Sequence, residues 1–297
     1  MPSTSRPAAG DDVRGRTVPT PGPTLFARYA YPPNERGSCG PPQSGTLFEY
    51  SVAGVVDPGL AQLARQFAGA WPYLEFIAGV SGIPDPLDAR VVEAYWLGNG
   101  LLDRIDMTTF GNALMDRFRG QTGRSWSHLA EAIPAGVVPH HSFHVFHVYP
   151  WVGLLGHGRG EPLEVLHRCR IRWGQVVTVD RDTVVVRSQP LQYENGRLFL
   201  GPEQLETATA ALDGVGPAAG LQPGEWVGLH WGWVCDRLTP RQLANLRRFT
   251  ARHLDIVNAR LEQMRSNGEW TRIYNRWLAA PLGPPPLPPK AVYGRES

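Results

Sequence analysis

Short runs of β-branched and aromatic residues, separated by turn signals, fill the stretch between Cys169 and His230. The segments 169–180 and 183–188 are rich in valine and are joined by an aspartate-rich turn, which predicts a hairpin. Further along, Asn195-Gly196 separates two more short runs, and this dipeptide is a strong hairpin signal. The last clear strand of the pattern is 224–230. Strands this short and closely spaced are typical of a small barrel or sandwich.

Helix signals lie on both sides of this β-rich stretch. After it, Thr239-Pro240 supplies an N-cap and a first-turn proline, and apolar residues recur at helical spacing as far as Leu261. Before it, the capping aspartates Asp57, Asp85 and Asp106 precede amphipathic segments from about Thr24 onwards. The sequence therefore predicts an α+β protein, with an N-terminal α-helical domain followed by a small β-barrel and a C-terminal helix.

The predicted organisation has four parts. A polar, proline-punctuated tail at 1–23 is expected to be disordered. A mainly α-helical domain at 24–160 ends in a histidine-rich junction, and the barrel with its helix follows at 161–268. A proline-rich tail at 269–297 contains a run typical of polyproline II.

Composition and missing motifs narrow the class of protein. The net charge is only +2, with both signs scattered along the chain, so no nucleic-acid partner is expected. Apolar runs are too short for a membrane span, and the N-terminus lacks the apolar core of a secretory signal. Three widely separated cysteines indicate free thiols in a reducing cytoplasm. Hydrolase, nucleotide-binding and dehydrogenase fingerprints are absent from the sequence.

Two motifs at the ends of the β-rich stretch resemble the hydrogenase maturation chaperones of the HypC/HupF type. Those chaperones begin Cys-x-x-x-Pro-Gly-x-Val and later carry Gly-Asp-Tyr-Val-x-Val-His-x-Gly-Phe. Here Cys169, Gly174 and Val176 keep the first spacing, although the cysteine is internal and a tryptophan replaces the proline. The similarity covers about residues 167–258. The second motif is carried by Gly224, Glu225, Trp226, His230 and Gly232. Asp236 and Arg237 stand where those chaperones have a pair of one acidic and one basic residue.

The resemblance implies a fold and a role. It implies an OB-like barrel in a cytoplasmic protein that carries the iron of the [NiFe] active site with its cyanide and carbon monoxide ligands, the Fe(CN)2CO fragment. Cys169 would bind this iron with His230 as a nearby helper. The partners would be a hydrogenase maturation scaffold or the hydrogenase large-subunit precursor. Such an accessory protein need not turn over a substrate, so we do not expect an enzyme.

The chemistry of the cysteine fits this expectation. A thiolate is a soft ligand that suits iron carrying such ligands. The flanking Arg168 and Arg170 are expected to lower the pKa of the Cys169 thiol and so to favour the thiolate.

A second group of metal-binding residue types lies in the histidine-rich junction. His140, His141, His144 and His147 fall within eight residues, and histidine is the commonest metal ligand. With Cys39, from a turn-rich loop, they form a second candidate metal site. Their β-branched and aromatic neighbours favour a strand, with His141 and His147 on one face. The alternative is that these histidines form hydrogen bonds inside a packed junction.

Functions from other classes also stay open. One is a metalloenzyme centred on His140, His144 and His147 with Cys39. Another is a protein-interaction module whose barrel has lost the metal chemistry. A weaker option is acyl transfer by a Cys-His pair.

Overall fold

The structure is a computed structural model that describes residues 20–118, 135–148, 150–155, 160–268 and 271–272. Across these residues the protein is α+β, with helices first, then a mostly antiparallel sheet and a C-terminal helix. This agrees with the predicted class. The two predicted tails fall almost wholly outside the described ranges, although the first helix already begins at Gly22.

The first part of the chain is helical as far as the structure describes it. Two of the three predicted aspartate caps are present, because Asp57 accepts a hydrogen bond from the backbone N–H of Leu60 at 3.1 Å and Asp106 accepts one from Thr109 at 2.7 Å. The third, at Asp85, is wrong, because the helix that follows begins at Ala89 and is capped by Asp88. The helices are α1 (Gly22–Glu35), α2 (Ser44–Ala53), α3 (Pro58–Arg65), α4 (Trp71–Val80), α5 (Ala89–Trp96) and α6 (Met107–Phe118), with a 3-10 turn at Leu102–Arg104.

The sheet contains five strands that pair in the order β1-β2-β5-β7-β6, and β6 pairs again with β1, so the pairing closes on itself. Every pairing is antiparallel except that between β5 and β7. A separate hairpin is formed by β3 and β4, and its turn residues Asn195 and Gly196 have φ of 50° and 78°, which confirms the predicted Asn-Gly turn. The strands are β1 (Arg172–Asp180), β2 (Thr183–Ser188), β3 (Leu191–Glu194), β4 (Arg197–Leu200), β5 (Gln204–Thr209), β6 (Trp226–His230) and β7 (Trp233–Arg237).

Two strands, β5 and β7, were not predicted. β7 follows β6 through a turn at Trp231-Gly232, whose φ angles of 49° and 84° are those of a two-residue hairpin. Tryptophan is rare in the left-handed region, so this turn has no sequence signature. β5 is only partly buried and lacks a clean apolar alternation. The β-rich part therefore has two more strands than predicted.

Cys169 lies at the end of a helix rather than in the β-rich stretch where the sequence pattern placed it. Helix α8 (Glu161–Cys169) buries Pro162, Leu166 and Cys169, which are spaced four and three residues apart and so share one face. The first strand begins three residues later, at Arg172. The thiol is held on the buried side of α8 for this reason.

The predicted C-terminal helix is confirmed as α9 (Pro240–Ser266). A capping box between Thr239 and Gln242 starts it. The helix contacts both halves of the molecule: Arg241 pairs with Glu93 of α5 at 3.2 Å, and the Asn258 side chain exchanges two 2.8 Å hydrogen bonds with the backbone of Leu198 in β4.

The histidine tract is helical, so the strand prediction is wrong there. One turn, α7 (His141–Phe143), passes into a π-helix at His144–Val148, and a 3-10 turn follows at Pro150–Leu154. The ring of His140 caps this segment by accepting a hydrogen bond from the backbone N–H of Ser142. Because the tract is buried, tertiary packing decides its conformation and overrides β propensity.

One apolar core joins the helices to the sheet. Helix α1 is buried along most of its length. On one side Tyr29 stacks on Trp96 of α5 with centroids 5.8 Å apart, and on the other Tyr31 meets the edge of Trp233 in β7 at 5.1 Å. Arg28 of α1 also pairs with Asp236 of β7 at 2.8 Å. The ends of α7, α8 and β6 meet beside this core.

Candidate metal centre

Three metal-binding side chains meet where the helical part contacts the sheet. His141 from α7, Cys169 from the end of α8 and His230 from the end of β6 each offer one ligand atom, and these atoms all lie within 4.8 Å of one another. All three residues are buried. The backbone N–H of Trp231 donates to the carbonyl of Arg168 at 2.9 Å, which ties the end of α8 to the end of β6.

The protonation state of His230 follows from the hydrogen bond at its Nδ1. Its Nδ1 lies 2.6 Å from the backbone carbonyl oxygen of Tyr29, and because a carbonyl only accepts, Nδ1 carries the proton. Burial, then the nearby His141, keeps the pKa of His230 well below its usual value, so the ring is neutral. Nε2 is therefore a buried lone pair that forms no hydrogen bond of normal geometry among the described residues, although the backbone carbonyl of Cys169 is close enough to the ring to raise its pKa.

A proline in α1 makes this arrangement available. In an α-helix the carbonyl of Tyr29 would accept from the N–H of the residue four positions later, which is Pro33 and has none. The carbonyl is left for Nδ1–H of His230. A metal-binding histidine commonly donates its other N–H to a backbone carbonyl in this way.

His141 is held on both sides. Its Nε2 lies 2.8 Å from the carbonyl oxygen of Cys169, and its Nδ1 lies 3.1 Å from the hydroxyl of Tyr95. Burial lowers the pKa of His141 to about 4, so this ring is also neutral at physiological pH.

The Cys169 thiol is protonated in the metal-free protein. Burial raises its pKa to about 12, and the Cys39 thiol adds to this effect, whereas the indole of Trp231 favours the thiolate. The expectation that Arg168 and Arg170 lower this pKa is wrong. Arg168 pairs with Glu164 one turn earlier on α8, and Arg170 donates to the backbone carbonyl of Gln189 at 2.7 Å.

The other three histidines of the tract point elsewhere. His140 Nδ1 lies 2.7 Å from Ser142 Oγ, which lies 2.6 Å from Nδ1 of His253 on α9. His147 Nε2 lies 3.3 Å from the backbone carbonyl of His253, and His144 Nδ1 lies 3.3 Å from the Tyr73 hydroxyl. Within the described chain, His141 is the only histidine of the tract that belongs to a metal-binding group. It was predicted for the second site, and the structure places it with Cys169 and His230 of the first.

Cys39 lies near this group but does not belong to it. Its loop is fixed by Asn34, whose side-chain amide donates to the carbonyls of Cys39 at 2.8 Å and Pro41 at 2.6 Å. The guanidinium of Arg36 lies 5.1 Å from the ring centre of Trp231, which places the loop beside the turn that follows His230. Burial raises the pKa of the Cys39 thiol to about 12.

The remaining motif residues support the sheet. Asp236 pairs with Arg28 of α1 rather than with Arg237, which instead binds Glu225 at 3.0 Å. A Cβ on Gly174 would lie 3.0 Å from Val186, so the residue permits close packing of β1 on β2. Gly224 and Gly232 have φ of 91° and 84°, Val176 is buried in the sheet core, and the Trp226 ring lies 4.9 Å from the Arg247 guanidinium.

Several residues around the group carried no sequence signal. Tyr29 and Tyr95 hold the two histidines through a carbonyl and a hydroxyl, which no motif marks. Arg172 is fully buried, pairs with Glu206 and helps to lower the pKa of His230. The proline pair inside α1 was the one readable clue, because prolines inside a helix free carbonyls.

Comparisons with known proteins identify a family but no activity. The model of a family of unknown function, DUF6390, matches residues 18–264. It gives no support to the resemblance to the hydrogenase maturation chaperones. No curated protein and no solved structure matches the chain. Among the described residues, no helix is both long and apolar enough to cross a membrane.

Proposed function

The chain belongs to the DUF6390 family, whose function is unknown, and we propose that it is a metal-binding accessory protein. Its ligands are His141, Cys169 and His230, and its cargo is the Fe(CN)2CO fragment or a precursor of it. The protein that receives this cargo is a hydrogenase maturation scaffold or the large-subunit precursor.

The buried, unpartnered Nε2 of His230 carries the proposal. Leaving a buried acceptor without a hydrogen bond costs about 1–3 kcal/mol. Other buried side-chain atoms of the described residues, such as Nε2 of His140, are also unpartnered, so what distinguishes Nε2 of His230 is its surroundings. Here the atom belongs to a group whose other members are a thiol and a second neutral imidazole, all within 4.8 Å. Ligands of one tetrahedral ion such as Zn²⁺ are about 3.3–3.6 Å apart at usual bond lengths, so the three atoms would approach one another by up to about 1.2–1.5 Å to bind it.

The number of protein ligands suits an iron fragment. Three protein ligands on an octahedral iron leave three positions, as in the two-histidine, one-carboxylate iron sites, and two cyanides and one carbon monoxide fill three.

Two further features support the narrower proposal. The five-stranded sheet, whose pairing closes on itself with β5 and β7 parallel, supports the proposal of an OB-like barrel. The cysteines in the described part of the chain, Cys39, Cys169 and Cys235, are all free thiols, which suits a reducing cytoplasm.

The experiment is anaerobic purification of the full chain from its native host, followed by metal analysis and infrared spectroscopy. We expect about one iron per chain and cyanide and carbon monoxide stretches in the wild type. Cys169→Ala should lose both. Cys235→Ala is the matched control, because Cys235 is also buried but is not a member of the group, and it should retain both.

Each result decides a different part of the proposal. Iron without the cyanide and carbon monoxide bands would leave a metal-binding protein and remove the hydrogenase role. A chain that binds neither iron nor any other transition metal would overturn the metal proposal, and the interaction module would then be the better explanation.

A further inference from the structure

The two histidines of the group differ in how ready they are to bind a metal. His230 already carries its proton on Nδ1, away from the group, and keeps Nε2 open. His141 has the opposite arrangement. Its Nε2 donates to the Cys169 carbonyl, and since the ring is neutral, its Nδ1 accepts from the Tyr95 hydroxyl.

His141 therefore has to change its tautomer before Nε2 can bind a metal. The nitrogen that faces Cys169 needs a lone pair, so its proton must leave and Nδ1 must gain one. A proton on Nδ1 needs an acceptor in this buried place, because an unpaired N–H is costly there. The atom within reach on that side is the hydroxyl oxygen of Tyr95, at 3.1 Å.

Tyr95 is built to act as donor in one state and acceptor in the other. Its hydroxyl lies 3.3 Å from the backbone carbonyl of Gly69, to which it can donate when it accepts from His141. The ring is buried, stacked on Tyr73 with centroids 5.6 Å apart and in edge contact with Trp96 at 4.7 Å. The hydroxyl thus reverses its hydrogen bond by rotating one O–H bond while the ring stays in place.

We propose that Tyr95 is a positioning residue that lets His141 switch from the Nε2–H tautomer in the metal-free protein to the Nδ1–H tautomer in the metal-bound protein. Proton count at the ring is unchanged: Nε2 loses a proton to solvent, Nδ1 takes one up, and Tyr95 keeps its own. This inference rests on the proposed metal site and adds to it a switch that His230 does not need.

The test uses the full chain with ¹⁵N-labelled histidine and Zn²⁺ alone as a diamagnetic probe. Long-range ¹H–¹⁵N spectra report which nitrogen of each ring is protonated. We expect His141 to be Nε2–H without Zn²⁺ and Nδ1–H with it, whereas His230 stays Nδ1–H throughout. Zn²⁺ affinity, measured by competition with a chromophoric chelator, should fall by about 10–100-fold in Tyr95→Phe, which is the usual effect of losing a ligand's supporting hydrogen bond.

Tyr73→Phe is the matched control. Tyr73 stacks on Tyr95, and its hydroxyl faces His144, which lies outside the group. We expect its Zn²⁺ affinity to stay within about threefold of the wild type, well under the loss expected for Tyr95→Phe. An equal loss in both variants, or Zn²⁺ binding with His141 still Nε2–H, overturns the switch and leaves the metal site standing. No Zn²⁺ binding by the wild type overturns the switch, whereas the iron analysis of the protein from its native host decides the metal site separately. The wild-type spectra decide the question even where a variant does not fold.

Discussion

At the scale of single residues, the site is defined by where protons sit before a metal arrives. The two imidazoles are neutral because burial depresses their pKa, whereas the Cys169 thiol keeps its proton because burial raises its pKa to about 12. Both shifts have the same cause, since a buried site disfavours whichever form is charged. Neither histidine needs a net loss of a proton to bind a metal, although His141 must change its tautomer. The thiol is the one group that loses a proton overall.

This difference predicts the pH dependence of metal binding. Between about pH 5.5 and 9 the histidines stay neutral and the thiol stays protonated, so the apparent Zn²⁺ affinity should rise about tenfold per pH unit, one proton released per ion. Chelator competition across this range measures the slope. Cys39→Ser should keep it, because Cys39 is outside the group. A twofold steeper slope near pH 6 would contradict the assignment, since it would show that a histidine with an ordinary pKa also loses a proton.

The sequence identified some of these residues and grouped them incorrectly. Cys169 and His230 were paired because two motifs keep their spacing, and His141 was assigned to a separate site because it lies next to other histidines. The structure joins His141 to Cys169 through a contact between residues 28 positions apart. Spacing along the chain carries no information on such a contact. Tyr29 acts through its backbone carbonyl, which residue type does not reveal.

At the scale of elements, α1 and β6 form the support of the site. Tyr29 provides the carbonyl for His230 from α1, and the same tyrosine packs with its hydroxyl against Gly228 of β6. A Cβ on Gly228 would lie 2.4 Å from that hydroxyl oxygen. The glycine therefore sets how closely the helix approaches the strand, and with it the position of the carbonyl that fixes His230.

Gly228→Ala should separate the two elements. We expect the free energy of unfolding to fall by about 1–3 kcal/mol, the usual cost of adding a methyl group to a packed contact. Zn²⁺ affinity should fall by about tenfold as the support of His230 shifts. Urea denaturation and chelator competition measure the two effects.

Gly79→Ala is the control for this substitution. A Cβ on Gly79 in α4 meets nothing within 4 Å, and alanine suits a helix better than glycine. We expect this variant to be about 0.5–1 kcal/mol more stable, with unchanged Zn²⁺ affinity. Equal effects of the two alanines would show that the contact between α1 and β6 does not support the site.

Prediction of the elements succeeded where local chemistry decides the structure. The caps at Asp57, Asp106 and Thr239 and the turn at Asn195-Gly196 are short-range signals, and all four are confirmed. It failed where packing decides. The histidine tract has the composition of a strand and is helical because it is buried beside α9, and the turn at Trp231-Gly232 uses a residue that seldom adopts a positive φ.

At the scale of the whole molecule, the helices and the sheet are joined through the site. Residues of α1, α5, β1 and β7 share one apolar core, and the histidines lie where these parts meet. The core places neutral imidazoles in the interior, where each can only be protonated at a large cost. Stability against acid is therefore a property of the whole fold rather than of any one contact.

This placement predicts steep acid unfolding. Five described histidines, His140, His141, His167, His230 and His253, have pKa values lowered chiefly by burial. Below about pH 6.5 the unfolded chain takes up protons that the folded chain does not, so stability falls as the pH falls. Each such histidine costs about 1.4 kcal/mol per pH unit.

Together the five remove about 7 kcal/mol by pH 5.5, which is comparable with the whole stability of a typical domain. We therefore expect the urea midpoint to be constant from pH 7 to 8 and to drop sharply between about pH 6 and 5. His253→Gln should make the drop shallower, because the amide does not titrate and the chain then takes up about one proton fewer on unfolding. A midpoint that stays constant down to pH 4.5 would show that these rings take up protons equally in the folded and unfolded chain, and the lowered pKa values would then be wrong.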